Sequence, residues 1–261
     1  HNGDLRVLTY TGSDGWFTLQ DAGSKPASPA LLTLLRERTS DQTLQTLATL
    51  PNSSRPALLG KEGEQVYAVR FAGERAYVVT FRRADPLYVL DLSNPADPKA
   101  LGELTVAGFS DQLVPLANDL LLGVGRDADD QGVVGGIKLA LFDVADPAKP
   151  SQRASFVMGG TYSSSAADYS RHGLNLFMRG NVARIALPVN LSPPGPIFAP
   201  GGWQSGLARF AVDTAARTMR EKPMVGASSG DGQRSPWLER SLQIEDQVFY
   251  LGAGELSAHT W

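Results

Sequence analysis

Apolar residues along this chain recur in short runs closed by turn formers, and seldom with helical spacing. Leu5–Tyr10, Val66–Phe71, Ala76–Phe81, Leu87–Leu92, Leu120–Val124, Ile137–Val144, Leu174–Met178, Val182–Pro188, Leu207–Val212 and Gln247–Leu251 are rich in Val, Leu, Phe and Tyr. Most of these runs are bounded by Gly, Asp, Asn or Pro, the pattern of short β-strands. Val66–Phe71 and Ala76–Phe81 match in length across a Gly-containing link at 72–75, which predicts a hairpin. Residues 30–50 are ambiguous. Leu44, Leu47 and Leu50 stand three apart, as a helix would place them, but the Ser40-Asp41 break and the many threonines favour two strands and a turn. The segment 190–203, NLSPPGPIFAPGGW, is too rich in Pro and Gly for either element and predicts a long inter-strand loop.

One of these segments is written twice. Pro86–Lys99 reads PLYVLDLSNPADPK and Leu139–Ser151 reads LALFDVADPAKPS, an apolar strand running into Asp and then a Pro-Ala-x-Pro turn. The copies lie roughly fifty residues apart, near the ~40–50 residue period of propeller blades. Asp91 and Asp143 are placed to accept backbone N–H bonds as the chain turns, and the prolines stop the ladder. A third copy, LARFAVDTA, aligns Leu207, Phe210 and Val212 with Leu139, Phe142 and Val144, so that Ala211 stands for the Asp and the prolines are gone. Repeats of this kind are small sheets that bury their faces only by stacking. The expected fold is therefore all-β, a single propeller domain over 1–261 of about five antiparallel blades, at 3–60, 61–107, 108–158, 159–226 and 227–261. The last is short. Either Leu5–Tyr10 completes it, which would remove two exposed sheet edges, or the chain is a segment of a larger propeller.

The stretches 66–116 and 120–150, with support from DLRVLTYTGS at the start and RSLQIEDQVFYLG at 240–252, resemble a family of bacterial and archaeal secreted proteins that carry a C-terminal β-propeller domain. The resemblance implies an exported propeller, membrane-anchored or extracellular, with no established enzymatic activity. Members are usually longer than this chain, with more propeller before it.

Composition narrows the function further. The chain has 261 residues, 42% hydrophobic and 20% charged, with a net charge of -3. Nucleic acid is not an expected partner, since that would favour a basic face. No apolar run approaches the ~18–20 residues of a membrane-spanning helix. There is no leader pattern, so a signal or anchor is expected outside this chain, and the strand-like opening suits an excised domain. The absence of cysteine rules out disulfides, Cys-ligated metal and thiol catalysis.

Candidate chemistry is sparse. Asp127-Ala128-Asp129-Asp130-Gln131-Gly132 resembles the start of a calcium loop, with hard oxygen ligands at alternate positions and Gly at the sharp turn. The EF-hand pattern fails because position 138 is Lys where a bidentate Glu is needed. Asp127, Asp129 and Asp130 are thus candidate ligands of a looser calcium site, against the plainer reading of an acidic turn. No other cofactor is expected. Gly226–Gly230, GASSG, matches G-x-S-x-G, but the following DGQRSPW starts no helix, which points to a polar inter-blade loop. His172 lies near Ser163–Ser165 and Asp168, although adjacency in a polar loop is little evidence for a triad. Trp16-Phe17, Phe198, Trp203 and Trp237 lie in Gly/Pro/Ser-rich contexts, either packed against blade edges or displayed as stacking surfaces. Phe198, Trp203 and Trp237 are the candidate binding residues.

The leading functional expectation is a non-catalytic extracytoplasmic scaffold, secreted, periplasmic or on the cell surface. It would bind a protein, or a cell-surface glycan, through its loops. The alternatives are a metal-dependent hydrolase or lactonase-type propeller and a purely structural envelope module. The enzyme needs acidic or His residues at the starts of several innermost strands. Those near Val66, Leu113 and Leu174 show no such set.

Overall fold

The computed structural model describes residues 1–10, 28–61, 64–81, 85–129, 131–195, 202–230 and 235–261. They form nineteen strands in five antiparallel sheets, with three one-turn 3-10 helices and no α-helix among the described residues. This is the all-β propeller architecture that the repeat predicts. The chain divides into two compact units, His1–Val106 with Asp146–Pro150, and Ala107–Ala145 with Ser151–Trp261.

The first unit holds two sheets. Strands β1 (Asp4–Tyr10), β2 (Ala30–Arg38) and β3 (Thr43–Leu50) form one, with β2 central. The threonine-rich stretch is thus two strands, and Asp41 shapes their turn by accepting the Thr43 N–H at 3.1 Å. β1 pairs with β2 along its whole length, in this first sheet; it does not complete the last one. The second sheet is the meander β4 (Gln65–Ala72), β5 (Arg75–Phe81), β6 (Asp85–Asp91), β7 (Lys99–Val106). The β4–β5 link is only Gly73-Glu74, because Gly73 takes φ +57 and tightens the hairpin beyond the four residues expected. Alternate residues of the central strands, Leu32 and Leu34 on β2 and Ala76 and Val78 on β5, meet Leu50, Leu59 and Leu90 in one core.

The second unit holds three sheets. The third sheet is β8 (Phe109–Leu116), β9 (Leu120–Ala128), β10 (Val134–Asp143) and β11 (Ser151–Met158). The fourth combines β12 (Ser164–Ser165) and β13 (Asn175–Arg179), both on the same edge of β14 (Val182–Leu191), with β15 (Trp203–Asp213) and β16 (Thr218–Gly230). The fifth is β17 (Arg240–Ile244), β18 (Gln247–Gly252) and β19 (Glu255–Thr260). The fourth sheet is packed on both faces. Ile185, Leu187, Phe210 and Val212 face Leu122, Leu139 and Leu141 of the third sheet, while Ala186 and Leu207 meet Val248 and Tyr250 of the fifth. That alternation is why its central strands read as nearly unbroken apolar runs.

The duplicated turn is built as its sequence predicts. Asp91 accepts the Ser93 N–H at 2.9 Å and Asp143 the Ala145 N–H at 3.1 Å; Asn94 and Asp146 repeat the bond for Ala96 and Ala148, each at 3.1 Å. In the fourth sheet the expected alignment on Ala211 is corrected. Asp213 is the equivalent residue, accepting the Ala215 and Ala216 N–H groups at 3.0 and 2.9 Å. The next residue confirms the register, because Leu92, Val144 and Thr214 each donate N–H to the preceding hairpin turn, at Glu74, Asp119 and Asn181. Trp261 does the same to Asp246 after β19. A further correction concerns GASSG. It is not a loop but the end of strand β16, with Ser228 opposite Ser205 and Gly230 opposite Trp203.

Candidate functional site

In the second unit, chemistry-bearing side chains gather along one kind of edge, the first strand of each sheet. β8, the first strand of the third sheet, pairs Ser110 with Gly125 and Gln112 with Val124. Asp111 is the extra residue between them, a β-bulge that turns its side chain off the regular alternation. In the fourth sheet the first-strand edge is interrupted. β12 ends after two residues, the chain makes one-turn helices at Ala166–Asp168 and Arg171–Gly173, and β13 resumes the same edge of β14. A third such helix, Pro236–Leu238, leads directly into β17 and packs against the Ala166–Asp168 turn.

These pieces are fastened to one another. Gln112 donates its side-chain amide to the Ala167 carbonyl at 2.7 Å, tying the bulge to the interrupted strand. Arg126 on β9 donates to the carbonyls of Thr161 and Ser163, and to that of Gly135 at 2.9 Å, which anchors the loop before β12. Asp168 caps its own turn, accepting the Ser165 N–H at 2.9 Å and hydroxyl at 2.7 Å. Arg240 donates to the Trp237 carbonyl at 2.8 Å, and Tyr250 holds Glu239 at 2.5 Å, fixing the Pro236–Leu238 turn.

On this fastened base stand exposed aromatic and apolar groups. Trp237 is 53% exposed and Leu238 63%, and Tyr169, at the end of the neighbouring turn, is 54% exposed. The Asp111 carboxyl keeps solvent contact at the bulge, yet the protein around it displaces much of its water. That desolvation, with the nearby Asp168 charge, pushes its pKa up to about 6 against the opposing pull of Arg126. The edge therefore offers two ring faces for stacking and two carboxyl groups as hydrogen-bond acceptors, one of them changing charge in mildly acidic solution.

The residues singled out from sequence are distributed differently. Trp237 belongs to this edge. Trp203, 7% exposed, is buried as the first residue of β15. Phe198, Trp16 and Phe17 lie outside the described residues, as does Asp130. Asp127 sits 3.4 Å from the buried Lys138 ammonium, and Asp129 accepts the Gln131 and Val133 N–H groups at 2.9 and 2.8 Å. Both carboxylates thus have partners within the protein, and among the described residues no three His, Asp or Glu side chains form a metal-holding group. The Ser165 hydroxyl donates directly to the Asp168 carboxylate at 2.7 Å, and the backbone N–H of His172 donates to the Ser170 hydroxyl at 3.2 Å, bonds that shape the two turns. Asp111 was not singled out from sequence. Its signal was the polar Ser110-Asp111-Gln112 directly before the apolar stretch of β8, where alternation breaks.

The five antiparallel sheets define a β-propeller fold. The chain belongs to the beta propeller domain family, whose model matches residues 1–261. Archaeal relatives include an uncharacterized protein of Archaeoglobus fulgidus, 39% identical over 196 residues, covering 75% of this chain and 26% of that protein. An uncharacterized protein of Methanocaldococcus jannaschii is 41% identical over 109 residues, covering 42% of this chain and 17% of that protein. The matched stretch is therefore about a quarter or less of these relatives' lengths. Among solved structures, the GH93 α-L-arabinofuranosidase of Fusarium graminearum in complex with arabinobiose is similar over 90% of this chain and 74% of its own, at 9% identity and a TM-score of 0.39. Saccharomyces cerevisiae Sqt1 is similar over 84% of this chain and 74% of its own, at 12% identity and a TM-score of 0.34. No helix among the described residues is long and apolar enough to cross a membrane.

Proposed function

We propose that this propeller is a non-catalytic, extracytoplasmic binding scaffold that takes a cell-surface glycan or a protein at the first-strand edge of its second unit. The observation that carries the reading is the exposure of Trp237 and Tyr169 on two packed turns, beside the carboxyl groups of Asp111 and Asp168. Exposed rings on tethered turns lose little conformational freedom when they bind, which favours affinity. Of the two ligand classes, the combination suits a glycan better. Ring faces stack on the apolar faces of sugars, and carboxylates accept their hydroxyl hydrogens. Export is part of the proposal, and the resemblance of the sequence to secreted propeller proteins is what supports it.

The test is a glycan array probed with the purified protein, followed by calorimetry on any hit with wild type and Trp237→Ala. Binding that the variant loses, with the glycan recovered intact, supports the scaffold. Release of new reducing ends on prolonged incubation would instead support the hydrolase reading, and binding unchanged in the variant would remove the site.

A further inference from the structure

Three cations of the second unit converge on one indole ring. Arg184 on β14, Arg209 on β15 and Lys222 on β16 share one face of the fourth sheet, because Ala186 stands opposite Arg209 and Arg209 opposite Lys222. It is the face on which Ala186 meets Val248 of the fifth sheet. Trp261, directly after β19, is fixed there by donating its N–H to the Asp246 carbonyl at 2.9 Å. The centre of its ring lies 5.4 Å from the Arg184 guanidinium carbon, 5.5 Å from that of Arg209 and 5.8 Å from the Lys222 ammonium.

The negative charge at hand does not balance them. Among the described residues one carboxylate, Asp246, pairs with any of the three, and it is shared, holding Arg179 as well as Arg184, the latter at 2.8 Å. Arg209 is only 6% exposed, yet it donates to neutral backbone carbonyls alone, those of Pro223 and Thr260. Its burial lowers its pKa from the ordinary guanidinium value. Lys222 makes no hydrogen bond or ion pair among the described residues. Like charges directly opposite on neighbouring strands destabilise a sheet, and an aromatic face attracts a cation without neutralising it. We infer that Arg184, Arg209 and Lys222, gathered at Trp261, form a binding site for an oxyanion, the carboxylate or phosphate group of a small ligand. Such a group supplies the missing charge and accepts the N–H donors that Arg209 and Lys222 leave unused.

The experiment uses the protein at the length its gene encodes, titrated in a calorimeter with inorganic phosphate and, separately, with acetate, while chloride holds the ionic strength constant. Wild type is compared with Lys222→Met, which keeps the side-chain stem and removes the charge. A control, Arg153→Ala, removes an exposed cation from β11. One-site binding of either anion is expected in wild type and in the control. In Lys222→Met it should be weaker by roughly tenfold or more, the loss of one charge-assisted bond. The anion that binds more tightly tells a phosphate site from a carboxylate site. Absence of saturable binding in wild type would overturn the inference, and so would equal affinity in Lys222→Met. Should that variant fail to fold, Lys222→Gln gives the same comparison.

Discussion

Asp213 accepts the backbone N–H of Ala215 at 3.0 Å, and through that bond the fourth sheet keeps the turn chemistry of the second and third. The prolines of the other two copies are dispensable because the carboxylate, not the ring, closes the turn. Asp213→Ala forfeits two N–H bonds, the second from Ala216 at 2.9 Å, and is expected to cost about 1–2 kcal/mol. Urea unfolding of the variant checks this. A loss no greater than that of an exposed-surface Ala substitution would mean the turn is held by its strands alone.

Asp111 makes stability depend on pH in a defined direction. Its folded pKa is raised to about 6, whereas an unfolded Asp titrates near ~3.9. Between those values the folded protein holds the proton more tightly, so its contribution to stability falls as pH rises through that window. Asp111→Asn removes this slope. The variant should match wild type below roughly pH 4 and gain on it until roughly pH 6–7, after which the difference stays level. Urea midpoints taken at intervals from pH 4 to 7 give the curve. An advantage that shrinks as pH rises would contradict the assignment.

Asp129 is expected to act through its own loop. Its carboxylate receives the Gln131 and Val133 N–H groups, so Asp129→Ala should lower stability by about 1 kcal/mol to the same extent in EDTA and in millimolar calcium. A calcium-induced rise in melting temperature, present in wild type and lost in the variant, would make 127–132 a metal site after all. At ~100 times its dissociation constant, such an ion would add about 2.7 kcal/mol.

The fold was legible in sequence where strands are buried on both sides. β5, β6, β9, β10, β14 and β15 read as apolar runs because consecutive residues along each are buried, and the Asp-Pro turns mark the ends of β6 and β10. The fourth strands were not legible. β7, β11 and β16 alternate polar and apolar residues, as in Ser151–Met158, since one face and one edge meet water. Leu5–Tyr10 was legible as a strand but not in its pairing, because strand pairing depends on contacts outside the run itself. The candidate site was legible in part. Trp237 stands out by its setting, whereas Asp111 gains its character from a bulge, and Asp168 from the turn it caps by accepting the Ser165 N–H. The break in alternation at Ser110-Asp111-Gln112 and the Ser165-x-x-Asp168 capping spacing are both local marks, but neither says that the two carboxyl groups come together.

The most direct test of the binding edge compares two exposed apolar residues of the same protein. Trp237 is 53% exposed on the proposed rim, and Leu44 is 56% exposed on β3 of the first unit. Affinity for the glycan or protein identified by capture is measured for Trp237→Ala and Leu44→Ala. Loss of a central aromatic anchor typically costs about 2 kcal/mol or more, roughly thirtyfold in dissociation constant. The account predicts that loss for Trp237→Ala and wild-type affinity for Leu44→Ala. Equal affinity in the two variants would contradict it.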